Sequence, residues 1–341
     1  MSQNDSSKEE QETARLEKLI QTCKKQHVDF PTPYEYTPDN AKIQDKGVLI
    51  TGGASGIGEA MARAFAAAGA YVTILDLNRP RGEQLVAEMT EKGHKMIFHA
   101  TDITDFDQQL AAFRAAQSFS PSGQLSHVFA NAGNIGSYTL YPVENIDSSA
   151  TNGGEATKTL VKPSLPCVQV SLIGMYYTAY LALHFLTLGT KAKSGALDTG
   201  TPAEKDLLDR SLTLMGSVMS YKGYKGLSDY CMAKAGVRGM FKSLRNDIKE
   251  STGIRLNLLA PTYVETPIYP KGIDLSVYKF APMEFLVRIA QQLVCDTTIH
   301  GRSIIITADG PKDMDDDIAG LDGAPVIKDF LLGHNMLNAG P

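Results

Sequence analysis

Short apolar runs alternate with longer helical stretches along most of this chain. The predicted strands lie at 47–51, 71–76, 95–100, 127–131, 212–216, 255–260 and 302–307. The predicted helices between them lie at 56–69, 81–92, 105–119, 167–189 and 228–250. Strands joined through helices pair in parallel, and right-handed crossovers place the helices on both faces of the sheet. The sequence therefore predicts an α/β fold with a doubly wound parallel sheet, in a single domain over residues 46–310.

The segments outside this pattern are predicted to be appendages. Residues 1–45 form an N-terminal extension and residues 311–341 a C-terminal tail in this interpretation. Prolines between Asp29 and Asn40 favour an extended strap, which is either a clasp on its own domain or an arm over a substrate or partner. Stretches near 144–163 and 190–210 are rich in small and polar residues, so we predict two surface insertions.

Composition excludes several classes of protein. Hydrophobic residues make up 43% and charged residues 21% of the chain, so a wholly disordered chain is excluded. A net charge of −5 provides no basic field for nucleic acid. The four cysteines form no C-x-x-C pair and the histidines no H-x-x-x-H pattern, so we predict no metal site. Unpaired cysteines and a polar, acidic start predict reduced thiols in the cytoplasm.

One stretch is apolar enough to raise the question of a membrane span. Residues 163–190 contain no Asp, Glu, Lys or Arg, and their length would cross a bilayer. Polar side chains such as Gln169, Thr178 and His184 interrupt it. Helices that are apolar all round also occur inside large cores. We therefore predict a buried or subunit-interface helix and no membrane span.

A glycine-rich turn, TGGASGIG at 51–58, joins the first predicted strand to the first predicted helix. Glycines allow a sharp turn, a close approach of the backbone to a pyrophosphate, and tight packing of the helix on the sheet. Backbone N–H groups and the positive end of the helix then face the phosphates. The sequence predicts a dinucleotide site that includes Gly52, Ser55, Gly56, Ile57 and Gly58.

An acid follows this turn at the spacing that a dinucleotide site needs. Asp76 ends the second predicted strand, 18 residues after Gly58. Its carboxylate can accept hydrogen bonds from a ribose 2′-hydroxyl and would repel a 2′-phosphate, which predicts NAD as the cofactor. The alternative role is a strand-end cap or turn former. Arg79 and Arg81 lie just beyond it and leave NADP possible.

A tyrosine, a lysine and a serine have the spacing of a proton-transfer site. Tyr230 and Lys234 are four residues apart in a predicted helix, so their side chains lie on one face. A neighbouring ammonium favours the phenolate and is expected to lower the pKa of Tyr230 towards neutral pH. Ser217 lies at the carboxyl end of a predicted strand, where parallel sheets bind their ligands, and could hydrogen-bond the reacting oxygen.

Together these motifs resemble those of the short-chain dehydrogenase/reductase family. The resemblance rests on TGGASGIG, Asp76, the Asn-Ala-Gly turn at 131–133, Ser217 and Tyr230-x-x-x-Lys234, and covers residues 46–310. It is to the single-domain branch and implies a Rossmann fold. The stretch from Ala290 is weakly similar to members of the 15-hydroxyprostaglandin dehydrogenase type.

The resemblance implies roles for the catalytic residues. Tyr230 would be the general acid/base, Lys234 would bind the nicotinamide ribose and lower the pKa of Tyr230, and Ser217 would orient the substrate oxygen. One position departs from the family. Members usually carry an asparagine in an N-x-x-G pattern that supports a water relay to the lysine, whereas this chain has Ser171 before Gly174. The relay would then need an additional water, or be absent.

The resemblance also implies further contacts with the cofactor. Asp102 would hold the adenine amino group with Ile103 beside it, and Asn131 would lie against the cofactor. Val264 and Thr266 would contact the carboxamide, in a segment where Thr262 replaces the family's usual glycine.

The function predicted is that of an NAD(H)-dependent oxidoreductase that interconverts a secondary alcohol and a ketone. Apolar residues in segment 263–288, which covers the substrate in the family, favour a small lipophilic substrate, although they could equally serve core packing. The alternatives are an NADPH-dependent ketoreductase and a cofactor-binding scaffold with little turnover. Helices 167–189 and 228–250 would form the family's interface, which predicts a homodimer or homotetramer. Secondary metabolism is the predicted setting.

Overall fold

A computed structural model of the chain describes residues 28, 30, 36–136, 146–147, 159–160, 164–187, 209–224, 226–269 and 279–314. The chain divides into two compact units. Residues 31–312 form the larger unit, and residues 1–30 and 313–341 form the smaller. In the smaller unit the backbone N–H of Val28 donates to the carboxylate of Asp313 at 3.0 Å. The predicted limits of the extension and the tail stay predictions.

Eight strands form the main sheet, and two short strands pair outside it. In chain order, the strands of the described residues are β1 (Gly47–Thr51), β2 (Tyr71–Asp76), β3 (Lys95–Ala100), β4 (His127–Ala130), β5 (Ile146–Asp147), β6 (Thr159–Leu160), β7 (Ser211–Met215), β8 (Arg255–Pro261), β9 (Ser303–Thr307) and β10 (Gly310–Asp313). The order is β3-β2-β1-β4-β7-β8-β9-β10, and every pair from β3 to β9 is parallel. The central strands β1, β4, β7 and β8 are buried along their whole length because helices cover both of their faces. The predicted doubly wound α/β fold is confirmed.

Outside the main sheet, β5 and β6 pair antiparallel. They lie inside the first predicted insertion, most of which is outside the described residues. Residues 190–208 of the second insertion also lie outside them.

Helices flank this sheet. They are α1 (Asn40–Ile43), α2 (Gly56–Ala67), α3 (Arg79–Glu91), α4 (Phe106–Phe119), α5 (Pro166–Val168), α6 (Met175–Thr187), α7 (Ser228–Leu244), α8 (Ile248–Thr252) and α9 (Met283–Cys295). A π-helix, Gln169–Gly174, joins α5 to α6, and a 3₁₀-helix, Val218–Ser220, follows β7. Helix α2 packs against α9, α4 packs against α6, and α7 packs against the π-helix.

Two helical predictions differ from the structure. The predicted helix 228–250 is divided, because α7 ends at Leu244 and α8 begins at Ile248. Helix α9 was not predicted at all. Its Phe285, Leu286 and Ile289 are buried at helical spacing, so this part of segment 263–288 belongs to the core and lends no support to a lipophilic substrate.

The apolar stretch forms one continuous helical run from Pro166 to Thr187. By length and composition this run could cross a bilayer, and half of its most apolar window is buried inside the protein. Leu181, Ala182 and Leu186 are among the buried residues. Such burial is typical of a core helix that keeps one exposed face.

The described part of the predicted strap contacts its own unit. Arg288 Nη1 donates to the carbonyl of Tyr36 at 2.9 Å, and Cys295 Sγ donates to the carbonyl of Asp39 at 3.5 Å. For residues 36–40 these contacts agree with the clasp interpretation.

One buried arginine joins β8 to the end of α9. Arg255 is 2% exposed, and its guanidinium forms two 2.7 Å bonds with the Asp209 carboxylate. It also donates to four carbonyls, those of Leu293, Val294, Asp296 and Ile299. Two of these belong to the last turn of α9, where carbonyls lack partners within the helix. Burial alone raises the pKa of Asp209, but its bonds with Arg255 outweigh burial and lower that pKa.

Removing this guanidinium is expected to destabilise the fold. Arg255→Met leaves the Asp209 carboxylate buried and unpaired, which costs about 3–5 kcal/mol in the free energy of unfolding. Because the folded pKa of Asp209 is lowered, its stabilisation is present above the unfolded pKa and is lost as the pH falls through the folded pKa. The difference between wild type and variant should therefore shrink below about pH 4 in denaturant titrations.

The matched control is Arg79→Met, because Arg79 pairs with Glu83 while both side chains are more than half exposed. It should leave the free energy of unfolding nearly unchanged. An equal loss in both variants would contradict this role of Arg255.

Candidate active site

A cavity of about 500 Å³ opens at the carboxyl ends of the central strands. This is the position where open parallel sheets bind ligands, and the volume lies in the usual range for ligand pockets. Of the predicted site residues, the cavity wall contains Gly52, Ser55, Gly56, Ile57, Asp76, Asp102, Ile103, Asn131, Ser217, Tyr230, Lys234, Val264 and Thr266. The structure thus brings together every predicted residue except Gly58.

The glycine turn needs its glycines for two different reasons. Gly52 and Gly56 have φ of 65° and 53°, a region that other residues rarely adopt. A Cβ at Gly52 would also lie 2.8 Å from Cα of Ala132. Gly58 lies behind the turn, where a Cβ would be 2.0 Å from the carbonyl oxygen of Gly52. Gly58 therefore allows α2 to pack closely on the sheet and does not line the cavity.

Helix α2 begins at the cavity, and polar groups of its first turn are available to bind a ligand there. Ser55 is its N-cap residue, and the exposed hydroxyl makes no capping bond. The backbone N–H groups of the first turn lack partners within a helix, and the helix dipole favours negative charge there. The turn and Ser55 together can hold a pyrophosphate.

Asp76 both shapes the turn and faces the cavity. Its two carboxylate oxygens accept the backbone N–H of Ala54 at 3.0 Å and that of Asn78 at 2.9 Å. The turn-forming role is therefore present, and each oxygen keeps a second lone pair for a ligand.

The two nearby arginines are engaged in ion pairs. Arg79 contacts Glu83 at 3.2 Å, and Arg81 contacts Glu59 and, at 3.6 Å, Glu88. Neither arginine lines the cavity. Both would have to leave these pairs to meet a phosphate beside Asp76.

Asn131 joins the turn to β4. Its side-chain amide donates to the carbonyls of Thr51 and Gly52 at 2.9 and 3.3 Å. In return, the hydroxyl of Thr51 accepts the backbone N–H groups of Asn131 and Ala132, both at 3.0 Å. The residue lines the cavity and also fixes the shape of the turn.

A buried glutamine that the sequence did not single out organises the Asp102–Ile103 wall. The carboxamide of Gln109 donates to the carbonyls of Ile103 and Gly174, and its oxygen accepts the hydroxyl of Thr178 at 2.8 Å. Asp102 in turn accepts the N–H and hydroxyl of Thr104, both at 2.8 Å. These bonds connect the π-helix to the cavity wall at Asp102 and Ile103. The sequence alone does not show this role of Gln109, because the role becomes visible only once the polar side chain is seen to be buried.

At the opposite end, the segment after β8 is held by its neighbours. Val264 is 3% exposed, and Thr266 lies close to Gly56. Thr262 donates its N–H and its hydroxyl to the carbonyl of Ile306, both at 3.0 Å. Its φ is not positive, so a glycine is not required there.

Ser217 is oriented by its own backbone turn. It caps the 3₁₀-helix, because its hydroxyl oxygen accepts the N–H of Met219 at 3.1 Å while Ser220 Oγ accepts the N–H of Ser217 at 3.2 Å. Its hydroxyl proton can therefore serve another acceptor. Hydrogen bonding from Ser217 acts to lower the pKa of Tyr230, which places the two side chains near each other.

Helix α7 brings the tyrosine and lysine to this serine. Lys234 Nζ lies 5.7 Å from the centre of the Tyr230 ring and donates to the carbonyl of Met215 at 2.8 Å. Ser220 Oγ donates to the carbonyl of Lys234 at 2.8 Å. These bonds fix α7 against the end of β7, so the three predicted catalytic groups share one wall.

The electrostatics of this group differ from the expectation. Burial raises the pKa of Tyr230 to about 12, although the hydrogen bond with Ser217 acts in the opposite direction. Burial also lowers the pKa of Lys234 to about 8. The prediction that the ammonium lowers the pKa of Tyr230 is therefore wrong for the ligand-free protein, because loss of water disfavours both charged forms.

Ser171 occupies the departure from the family pattern and is completely buried in the π-helix. Its hydroxyl lies against Asn134, 3.1 Å from the backbone N, 3.2 Å from the carbonyl O and 3.3 Å from Oδ1. Asn134 itself lines the cavity, as do Val170, Ile268 and Tyr269. The sequence did not single out Asn134 or Val170, whereas Ile268 and Tyr269 lie inside the predicted substrate segment 263–288.

The described residues offer no site for metal chemistry. Throughout the part of the chain that the structure describes, no group of three or more His, Cys, Asp or Glu side chains could hold a metal ion.

Comparisons with known proteins give a consistent result. Residues 46–196 and 211–272 match the family model described as short chain dehydrogenase. A 5′-hydroxyaverantin dehydrogenase of Dothistroma septosporum is 35% identical, over 85% of this chain and 94% of its own length. An NADP-dependent dehydrogenase of a Phoma species is 31% identical, over 78% of this chain and 76% of its own. A putative short-chain alcohol dehydrogenase structure from Sinorhizobium meliloti has a TM-score of 0.61 at 20% identity, covering 78% and 96% of the two chains, and supports the fold.

The raised pKa of Tyr230 can be measured directly in the ligand-free protein. With ring-labelled tyrosine, the NMR signal that disappears in Tyr230→Phe should not titrate between about pH 6 and 10, because burial disfavours the phenolate. Tyr180→Phe, which removes the hydroxyl of an exposed tyrosine, identifies a control signal. A titration of the Tyr230 signal near neutral pH would contradict the effect of burial.

Proposed function

The chain belongs to the short-chain dehydrogenase family and is an alcohol dehydrogenase or ketoreductase, and we propose that it oxidises a secondary alcohol to a ketone with NAD. The observation that carries this proposal is a single cavity. Ser217, Tyr230 and Lys234 line it together with the glycine turn and Asp76.

The residues present fit a dinucleotide along the whole cavity. The turn from Gly52 to Ile57 would hold the pyrophosphate, because Gly52 and Gly56 adopt positive φ in this turn and it leads into the N-terminus of α2. Asp76 would bind the adenosine ribose, and Asp102 with Ile103 would border the adenine. The remaining predicted contacts, at the nicotinamide end, are Asn131, Lys234, Val264 and Thr266. Bound there, the nicotinamide supplies hydride transfer.

The protein's own groups would orient the alcohol and move its proton. Ser217 could hold the substrate oxygen with its hydroxyl, and Tyr230 lines the same cavity. With a pKa of about 12, Tyr230 is neutral in the ligand-free protein and is ready to donate a proton in ketone reduction. Alcohol oxidation needs the phenolate as the base, so its rate should rise with pH. Lys234 would stabilise that phenolate.

The cavity lining supports a lipophilic alcohol. Ile135, Val170, Ile268 and Tyr269 contribute apolar surface to it. The relative from Dothistroma is named for dehydrogenation of a hydroxylated compound, 5′-hydroxyaverantin. We include oxidation of a hydroxyl-bearing lipophilic substrate in the proposal. Secondary metabolism and a cytoplasmic location stay predictions.

The two alternatives are weighed by different observations. The NADP-dependent relative favours the first alternative, an NADPH-dependent ketoreductase. Two observations favour NAD instead: Asp76 faces the cavity, and Arg79 and Arg81 are paired with glutamates. A scaffold with little turnover does not account for a serine, a tyrosine and a lysine in contact with the cofactor cavity.

An oligomer also stays part of the proposal. Tyr176 and Tyr180 on α6 are 55% and 60% exposed, and Met232 on α7 is 50% exposed. Large apolar side chains exposed on these two helices are typical of a surface that a second copy covers. They support the predicted homodimer or homotetramer.

Cofactor choice tests the role of Asp76. Wild-type protein should bind NADH more tightly than NADPH in fluorescence titrations. Asp76→Asn should improve the relative binding of NADPH by about ten- to a hundredfold, because it removes a like charge from the 2′-phosphate. Asp309→Asn makes the same change at an exposed loop position and should alter neither affinity. If the wild-type protein bound NADPH as tightly as NADH, or more tightly, the result would contradict the proposed preference for NAD.

Turnover tests the role of Tyr230. NAD reduction is followed over a panel of cyclic, steroid and long-chain secondary alcohols, and the fastest is used for comparison. Tyr230→Phe should lower kcat by about 10²–10⁴-fold, because the proton acceptor is lost, while NADH still binds. Tyr71→Phe makes the same change at the amino end of β2, outside the cavity, and should keep full activity. No turnover of any alcohol by a wild type that binds NADH, or an unchanged rate in Tyr230→Phe, would favour the scaffold.

A further inference from the structure

The start of α7, the helix that carries Tyr230, lacks the usual side-chain cap. Its N-cap residue is Leu227, whose apolar side chain makes no capping bond. The first N–H groups of a helix have no acceptor within it, so each needs one from elsewhere. The backbone N–H of Tyr230, the third residue of α7, is among these groups.

Asp229 supplies an acceptor to Tyr230. Its Oδ1 accepts the backbone N–H of Tyr230 at 2.8 Å. The residue is 3% exposed, and its Oδ2 is buried with no hydrogen-bond partner among the described residues. A buried carboxylate oxygen without a partner costs free energy, so stability alone does not explain an aspartate here. Its position next to Tyr230 offers an explanation from function.

Gly136 makes room for this carboxylate. A Cβ placed on Gly136 would lie 1.7 Å from Oδ2, 2.3 Å from Cγ and 2.4 Å from Oδ1 of Asp229. Gly136 does not have a positive φ, so its backbone conformation does not require glycine. The contact itself requires glycine, because any side chain at this position would push the Asp229 carboxylate away from the N–H that it accepts.

This contact joins two sides of the cavity. Ile135 lies next to Gly136 in the segment after β4, and it lines the cavity. Tyr230 lies next to Asp229 in α7 and also lines the cavity. Lys234, one turn further along α7, is held by bonds of its own. Loss of the contact should therefore release the first turn of α7, with Tyr230, while Lys234 stays in place.

We propose that Asp229 is a positioning residue for Tyr230: its carboxylate, packed between Gly136 and the backbone N–H of Tyr230, holds the first turn of α7 at the distance from the β4 segment at which the phenol meets the substrate oxygen. The proposal depends on the shape of the carboxylate and on Oδ1 as an acceptor. The effect on turnover rests on the proposed function, whereas the contact is present in the ligand-free protein.

Turnover of the fastest alcohol of the panel gives the first test. Asp229→Ala removes the acceptor and should lower kcat by about 10- to 100-fold, because a displacement of about 1 Å of a reacting group is costly. The affinity for NADH should stay nearly unchanged, because Lys234 and the glycine turn keep their own bonds. Asp229→Asn keeps an oxygen for the Tyr230 N–H and should recover most of the lost kcat, since asparagine caps helices as well as aspartate does.

A double-mutant cycle tests the contact with Gly136. In the wild type, Gly136→Ala should lower kcat about as far as Asp229→Ala does, because the methyl group displaces the carboxylate. In the Asp229→Ala background no carboxylate remains to be displaced, so the same glycine change should add little further loss. Non-additivity of this kind is expected of two residues in direct contact.

The position of Tyr230 is also read out without substrate. With ring-labelled tyrosine, the NMR signal assigned by Tyr230→Phe should move in Asp229→Ala and in Gly136→Ala. It should return towards its wild-type position in Asp229→Asn. A general loss of packing would not be repaired by one amide oxygen.

Asp247→Ala and Gly239→Ala are the matched controls. Asp247 is an exposed aspartate at the start of α8 that makes no capping bond. A Cβ on Gly239 in α7 would have no atom within 4 Å. Both changes should leave kcat and the Tyr230 signal as in the wild type, and thermal melting verifies that each variant is folded.

Three results would overturn the proposal. They are an unchanged kcat in Asp229→Ala, an Asp229→Asn variant as impaired as Asp229→Ala, and additive losses in the cycle with Gly136→Ala. If Gly136→Ala does not fold, the two Asp229 variants decide the proposal by themselves.

The positioning role and the proposed function fail separately. If the wild type turns over no alcohol but the Tyr230 signal moves as expected, the proposed function fails and the positioning role stands. If the wild type is active but neither kcat nor the signal responds to Asp229→Ala, the positioning role fails alone.

Discussion

The site depends on the burial of Lys234 against the end of β7. The bond from Nζ to Met215, and that from Ser220 to the carbonyl of Lys234, fix α7 at the carboxyl edge of the sheet. Tyr230 and Ser217 then meet because both are carried by elements that these bonds hold. The same burial has an electrostatic cost, since it disfavours the charged forms of both Tyr230 and Lys234. Chemistry in this protein must restore those charges at the moment of proton transfer.

Much of the fold could be predicted because its strands are short, apolar and separated by helices. The limits of β1, β2 and β3 agree with the prediction to the residue, since turn residues bound each run. Helix α9 was missed although Phe285, Leu286 and Ile289 have helical spacing, because the same apolar residues also fit a segment over the substrate. The end of α7 at Leu244 was missed because the local sequence pattern contains no signal that would predict the end of a helix there.

The residues of the site could be predicted better than its energetics. Spacing along the chain and position at strand ends were enough to predict that Asp76, Ser217 and Tyr230 line one site, and all three line the cavity. The pKa of Tyr230 depends on whether the charge of Lys234 or the loss of water on burial has the larger effect. That balance is set by how much water surrounds both groups, and the spacing of residues along the chain carries no information about it. Gln109 acts through contacts made by distant segments, so no local motif marks it. Gly58 shows the reverse case, in which a motif residue serves packing behind the turn.

The most direct measurement of the central claim is a crystal structure of the protein with NAD bound. The account predicts that the pyrophosphate lies on the glycine turn, that Asp76 bonds to the ribose, and that the reactive C4 of the nicotinamide faces the hydroxyls of Ser217 and Tyr230, leaving space for a substrate carbon about 3–3.5 Å away. A dinucleotide bound elsewhere, or with its nicotinamide turned away from Tyr230, would contradict it.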